Sequence, residues 1–197
     1  MMTSLSIPAL RRQFLCMVVA IVLSPVFSVT GSAHGIGAVK PPLAFPSGIT
    51  VVRSDGLRVP LQSILQGQTT MLQLIYTGCG QTCPLQGALF ANVQQRLPAL
   101  QAKKIQLLSL SIDQWDDAKA LSSWLRRFDA RPGWIAATLA TRKDLGAIKA
   151  VLQKGAPASN NHSSQVYFID SQSRLIWKSE DLPPVEVINQ ILEHINN

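Results

Sequence analysis

Cysteine is scarce in this 197-residue chain, which carries only Cys16, Cys79 and Cys83. So few thiols exclude a disulfide-dense scaffold. Charge is also sparse, at 15% of residues, and no acidic residue precedes Asp55. With 47% apolar residues, the chain has ample material for a packed core and does not fit a disordered class. Internal repeats, low-complexity tracts, phosphate loops, dinucleotide fingerprints and hydrolase triads are all missing from the sequence, which removes the commonest nucleotide-binding and hydrolytic readings. Lys and Arg outnumber Asp and Glu by 18 to 11. They are scattered in pairs such as Lys103-Lys104, Arg126-Arg127 and Arg142-Lys143, without interleaved aromatics. That distribution indicates a solvated basic surface, with docking to an acidic partner as the alternative, and a nucleic-acid partner is not expected of an exported chain.

The one long apolar run is N-terminal. Arg11 and Arg12 precede Phe14–Thr30, and Gly31-Ser32-Ala33 follows. A positive region, an apolar region and small residues at a cleavage site describe an export signal. The alternative is an uncleaved anchor, since 14–33 is about the length that spans a bilayer. Residues 1–33 are therefore expected to be a signal peptide or membrane anchor. The rest is placed in the periplasm, exported or anchored to the inner membrane. Residues 34–48, rich in Gly, Pro and Ala, are expected to be a tether, and 49–197 the folded domain.

Thr50–Arg53 and Leu57–Val59 flank the turn Ser54-Asp55-Gly56 and predict a hairpin. Met71–Tyr76, Ile105–Ile112 and Trp134–Leu139 read as strands, and Val166–Ile169 with Leu175–Trp177 as a second hairpin. Between them lie helical patterns. The first is 85–100, with Leu85, Leu89, Val93 and Leu97 on one stripe. The second is 116–128, with Leu121, Trp124, Leu125 and Phe128 inward. The third opens at Thr141 and Asp144, a capping-box-like pair, and the last is 185–195. Strands alternating with helices, plus a terminal hairpin and helix, indicate a three-layer α/β domain.

Once a leader is removed, Cys79 and Cys83 are the remaining thiols. A cross-link over so short a loop would constrain the unfolded chain little, so a structural staple is disfavoured. The pair lies where a buried strand gives way to a helix, with Pro84 suited to the first turn. Helix N-termini carry open N–H groups and partial positive charge, which favour a thiolate. Two accessible sulfurs there could cycle with a disulfide or hold one metal ion.

The stretch Tyr76-Thr77-Gly78-Cys79-Gly80-Gln81-Thr82-Cys83-Pro84 resembles the Y-T-x-C-x-x-x-C-P signature of the Sco/SenC family. Asn161-His162-Ser163 before Val166-Tyr167-Phe168-Ile169-Asp170 is similar to the family's H-S-x-x-x-Y-L-I-D, and Ser111-Ile112-Asp113 to its S-V-D. The likeness spans roughly 43–197. It implies a thioredoxin-like three-layer sandwich with a central mixed sheet and an N-terminal β-hairpin. It also implies copper, Cu(I) or Cu(II), held by Cys79, Cys83 and His162, and delivery of that copper to subunit II of cytochrome c oxidase. Preparation of the target's thiols is the other activity the family suggests. The expected partner is that subunit or another periplasmic copper or thiol protein, met by a monomer. The alternative is a periplasmic thiol-disulfide reductase with no obligatory metal, in which Cys79 attacks and Cys83 resolves. Gly80-Gln81 stand where the family usually has Pro-Asp, and Asn161 where it has Asp, so two carboxylates are missing from the neighbourhood.

Soft thiolates suit Cu(I), and imidazole suits both copper states. If the 164–169 strand pairs antiparallel with the 71–77 strand, His162 is carried toward the cysteines. Asp113, Asp116 and Asp117 are read as helix-capping residues and the four tryptophans as packing residues. His194 is read as a surface residue near a helix C-terminus, and His34 as the N-terminal residue that cleavage after Ala33 would create.

Overall fold

The structure, a computed structural model, describes residues 36–96, 104–154, 164–179 and 181–196. The leader and His34 lie outside the described residues. The described residues form one eight-stranded mixed sheet. Its strands are β1 (Ile36–Ala44), β2 (Thr50–Arg53), β3 (Arg58–Pro60), β4 (Thr69–Ile75), β5 (Ile105–Ser111), β6 (Trp134–Leu139), β7 (Val166–Ile169) and β8 (Arg174–Ser179). The spatial order is β1-β8-β7-β4-β5-β6-β2-β3. β4, β5 and β6 are parallel, and every other pairing is antiparallel. The helices are α1 (Leu61–Leu65), α2 (Thr82–Arg96), α3 (Ala118–Arg127), α4 (Asp144–Leu152) and α5 (Val185–Asn196). None of these is long and apolar enough to cross a membrane.

Strand alternation divides the core between the two faces. On one face, Leu72, Leu108 and Leu110 pack with Leu61 and Ile64 of α1 and Ile148 and Leu152 of α4. On the other, Met71 and Leu107 pack with Phe90 and Val93 of α2 and Ile188 and Leu192 of α5. Ile75 and Ala136 complete that second face against Cys83, Leu121 and Trp124. Helices on both faces of a mixed sheet make the expected three-layer sandwich.

Several local expectations are corrected. Residues 36–44, expected within the tether, form β1, which pairs with β8 at the sheet edge. The edge position suits a stretch containing Pro41 and Pro42, because an edge strand needs only one side of its backbone paired. Leu85 is 59% exposed rather than on the buried stripe. A spacing of four drifts around a helix of 3.6 residues per turn. The buried side of α2 instead carries Cys83, Gln86, Gly87, Phe90 and Val93, with Leu89 also buried. Leu97 lies outside the described residues. Trp115, expected to pack, is 82% exposed.

A buried polar cluster holds the thiol-side face together. Ser109 Oγ accepts from Gln73 Nε2 at 2.7 Å, Trp134 Nε1 at 2.9 Å and Trp124 Nε1 at 3.3 Å. The two indoles thus gain hydrogen-bond partners deep in the core, where an unpaired donor would be costly. Phe128 packs against both, with ring centroids 4.8 Å from Trp124 and 6.2 Å from Trp134. Gly87 on α2 sits under the Phe128 ring, so close that an added Cβ would overlap it. That contact seats the ring that follows α3 directly against α2.

Candidate thiol and metal centre

β4 ends at Ile75, and the chain turns at once: Cys79 N–H donates to Tyr76 O at 3.1 Å. α2 then begins at Thr82, three residues earlier than the periodicity predicts, so Cys83 stands in its first turn. The Cys79 sulfur accepts from the backbone N–H groups of Cys83 and Gln81. It therefore rests on open amides at a helix start, the arrangement that favours a thiolate.

Both cysteines are unpaired by disulfide and buried, and their side chains are hydrogen-bonded to each other. Their ionisation differs sharply. Burial opposes charge on Cys79, but the Cys83 and Gln81 amides, the Cys83 thiol and the Tyr76 hydroxyl all donate to it. Together they bring it from 9.0 down to about 6. Burial raises Cys83, helped by the neighbouring Cys79 thiolate and against bonds from the Tyr76 N–H and the Thr82 side chain, to about 11. Tyr76 is pushed up to about 12 by burial, by its bond to Cys79, and by the charges of Cys79, Cys83 and Asp113. The local hydrogen bonds favour the thiolate at Cys79 over Cys83, with the Tyr76 hydroxyl donating to that sulfur.

The loop after β5 braces this site. Asp116 accepts from Thr77 N at 2.8 Å, from Thr77 Oγ1, and from Ser111 Oγ at 2.6 Å. Asp116 is thus a clamp on the cysteine loop, not the helix-capping residue expected from the sequence. Asp117 does cap α3, accepting from Ala120 N at 2.8 Å. Asp113 accepts from Trp115 N at 3.0 Å. Sequence reading missed the Asp116 clamp because it joins loops 39 positions apart. The parallel register that sets Ile75 beside Ser111 creates it.

His162 and its neighbours Asn161 and Ser163 lie outside the described residues. The strand pairing on which the His162 reading depends is present: β7 runs antiparallel to β4, with Val166 opposite Gln73. The chain therefore enters β7, four positions after His162, on the end of the sheet where β4 leads to Cys79. Among the described residues no group of three His, Cys, Asp or Glu side chains forms a metal site. His194 is exposed and meets Trp177 edge-on at 6.1 Å, and it belongs to no group of three potential metal ligands among the described residues.

Beside Tyr76 a cleft of about 330 Å³ opens at the C-terminal ends of β4 and β5. Tyr76, Ile112 and Leu145 form its apolar walls, and Asp113, Gln114, Arg142 and Lys149 its polar ones. A second hollow of about 110 Å³ shares Asp113, Gln114, Arg142 and Leu145 and reaches Thr138 at the end of β6.

A family model described as SCO1/SenC matches residues 50–196. No curated protein sequence matches the chain. Solved structures with the same fold include the SCO1/SenC family lipoprotein of Bacillus anthracis str. Ames, at 19% identity and TM-score 0.64, covering 81% of this chain and all of the other. Yeast Sco1 with copper bound is 18% identical with TM-score 0.62, covering 81% and 96%. BsSco, a member of the Sco family of cytochrome c oxidase assembly proteins in which a disulfide switch is identified, is 20% identical with TM-score 0.62, covering 80% and 96%.

Proposed function

This chain belongs to the SCO1/SenC family, and from that premise we propose that it binds copper as cargo through Cys79, Cys83 and His162 and serves cytochrome c oxidase assembly. Copper occupies the yeast relative, and BsSco is an oxidase assembly protein. The observation that carries the reading is the bonded thiol pair at the start of α2. The donor set fits the ion: two soft sulfurs suit Cu(I), and a single imidazole leaves a three-coordinate, open site from which a metal can be passed on. The acceptor in this reading is subunit II of the oxidase. Residues 1–33 export or anchor the domain so that it faces the periplasm, consistent with the lipoprotein nature of the Bacillus anthracis relative.

The two thiols enter such a complex differently. Cys79, lowered to about 6, is the readier thiolate, whereas Cys83, raised to about 11, must give up its proton to the solvent when it ligates. Copper uptake at pH 7 should therefore release about one proton per ion. The test is a Cu(I) titration of the reduced protein under anaerobic conditions. Wild type should take up one ion per chain, and Cys79→Ser, Cys83→Ser and His162→Ala should each lose tight binding. Uptake that is indifferent to all three substitutions overturns the reading.

The split between the two cysteines also favours a second reading, thiol-disulfide exchange. A thiolate near neutrality is a good attacking group, and a neighbouring thiol can resolve the mixed disulfide. In a metal-independent reductase, His162→Ala should leave disulfide reduction largely intact. In the copper protein it should abolish tight metal binding.

A further inference from the structure

We propose that Asp116 is a positioning residue for the thiol pair, and that its clamp on Thr77 holds Cys79 in the arrangement that accepts copper and away from the one that forms a disulfide. The proposal rests on the reading that Cys79 and Cys83 serve both as copper ligands and as a redox pair. It adds the residue that sets the balance between those two uses.

The two sulfurs are anchored differently. Cys83 stands in the first turn of α2, a helix whose Phe90 and Val93 are buried in the core. Cys79 sits in the loop between β4 and α2, flanked by Gly78 and Gly80. A Cβ added to either glycine would meet nothing within 4 Å, so packing does not hold the loop at those two positions. Glycine also leaves the backbone more freedom than any other residue does. Hydrogen bonds take over, and Asp116 supplies two of them, accepting from Thr77 N at 2.8 Å and from Thr77 Oγ1.

Asp116 is itself well founded. Its Oδ2 also accepts from Ser111 Oγ at 2.6 Å, and Ser111 is fully buried at the end of β5, paired with Ile75. The next residue, Asp117, caps α3, the helix whose Leu121 and Trp124 share a core cluster with both cysteines. One carboxylate therefore ties the loop that carries Cys79 to the end of β5 and the start of α3.

The two uses of the pair need different geometry. In the clamped state the thiols are unlinked and hydrogen-bonded, as two groups that can turn to one ion. A disulfide needs the sulfurs about 2 Å apart, in covalent contact. Closing that gap falls to the Cys79 loop, because Cys83 is carried by a packed helix. A restraint on Thr77, two positions before Cys79, opposes the movement. The same restraint lowers the ordering cost of holding an ion. Releasing it should favour the disulfide and weaken copper binding together.

The test uses the full chain in two measurements at pH 7. In the first, the protein is equilibrated with mixtures of glutathione and glutathione disulfide, and the disulfide fraction is read by mass after alkylation of free thiols. The exchange balances: Cys79 and Cys83 lose two electrons and two protons, and one glutathione disulfide becomes two glutathiones. In the second, reduced protein competes with a chromophoric chelator for Cu(I) under anaerobic conditions. Asp116→Ala should move the first equilibrium about tenfold toward the disulfide, about 30 mV in potential, and weaken Cu(I) binding about tenfold. Thr77→Val removes only the hydroxyl bond and keeps the carboxylate charge. It should move both in the same directions by about threefold, which separates the clamp from the charge, and it carries the test alone if Asp116→Ala does not fold. Asp116→Ala/Thr77→Val should go no further than Asp116→Ala, because both remove one interaction. Leu108→Ala, on the opposite face, should lower stability and leave both equilibria unchanged. Variants at Asp116 and Thr77 that leave both equilibria in place, shift only one, or shift them no more than Leu108→Ala does, overturn the proposal. If wild type binds copper but forms no Cys79–Cys83 disulfide, the proposal falls and the copper reading stands. If wild type binds no copper, that reading falls and takes the proposal with it.

Discussion

Across the sheet the two faces solve burial differently. On the α1/α4 side leucine and isoleucine dominate, such as Leu61, Leu72, Leu108, Leu110 and Ile148, with one buried polar cluster in which Gln106 donates to Thr70 Oγ1 and Ile64 O. On the α2/α3 side, Ser109 gathers Gln73, Trp124 and Trp134, and Asp116 gathers Thr77 and Ser111. Aliphatic packing stabilises without specifying angle. Hydrogen bonds to fixed acceptors specify position, and the thiol loop is held by the second kind. Stability and site geometry should therefore respond separately to mutation.

The largest effect that would test this separation is Leu108→Ala on the aliphatic face. It should cost about 2–5 kcal/mol in denaturant unfolding. The midpoint of Cys79 alkylation against pH should nevertheless stay at about 6. A shift of that midpoint would break the comparison.

Gly87→Ala on α2 comes next, at about 1–3 kcal/mol, because the new methyl meets a Phe128 ring wedged beside Trp124 and Trp134. Being on the thiol side, it should also disturb Cys79 ionisation. Asp116→Ala should cost about 1–3 kcal/mol by leaving Thr77 and Ser111 without their acceptor. Its readout is a changed rate of Cys79 alkylation at pH 7.

Tyr76→Phe is the mildest change. Removing one donor to the Cys79 sulfur should raise the alkylation midpoint by about half to one pH unit, the equivalent of a single hydrogen bond. The pH dependence of stability sharpens the same point. Cys79 is held at about 6 against 9.0, so between those values the unfolded chain binds more protons. Its stabilising contribution is complete above pH 9 and is lost as pH falls through about 6. Cys83 has the opposite sign: its contribution is present below 9.0 and is lost as pH rises toward about 11. Urea unfolding of wild type and Cys79→Ser at several pH values should show the first slope only in wild type.

Much of this was legible in advance. β6 has the bounds its apolar run predicts, and the turns at Ser54-Asp55-Gly56 and Asp170–Ser173 join antiparallel strands. β1 was not legible, because a strand paired on one edge shows no alternation and tolerates proline. Nor was the exposure of Trp115 and Leu85, since an apolar side chain carries no label saying which way its backbone will turn it. In sequence the Thr141–Asp144 pair is capping-box-like. It is a side-chain bond of 2.6 Å between the two residues, and α4 starts without a side-chain cap.

By itself, the sequence determined the α/β class, the order of elements and the two sulfurs on a strand-to-helix junction, because hydrophobic period and turn chemistry act over a few residues. Only the tertiary structure decided how deeply the sulfurs are buried, what clamps their loop and which charges line the adjoining cleft. Those properties come from groups tens of positions apart, brought within a few ångströms by the register of parallel strands, where hydrogen bonds and burial take effect.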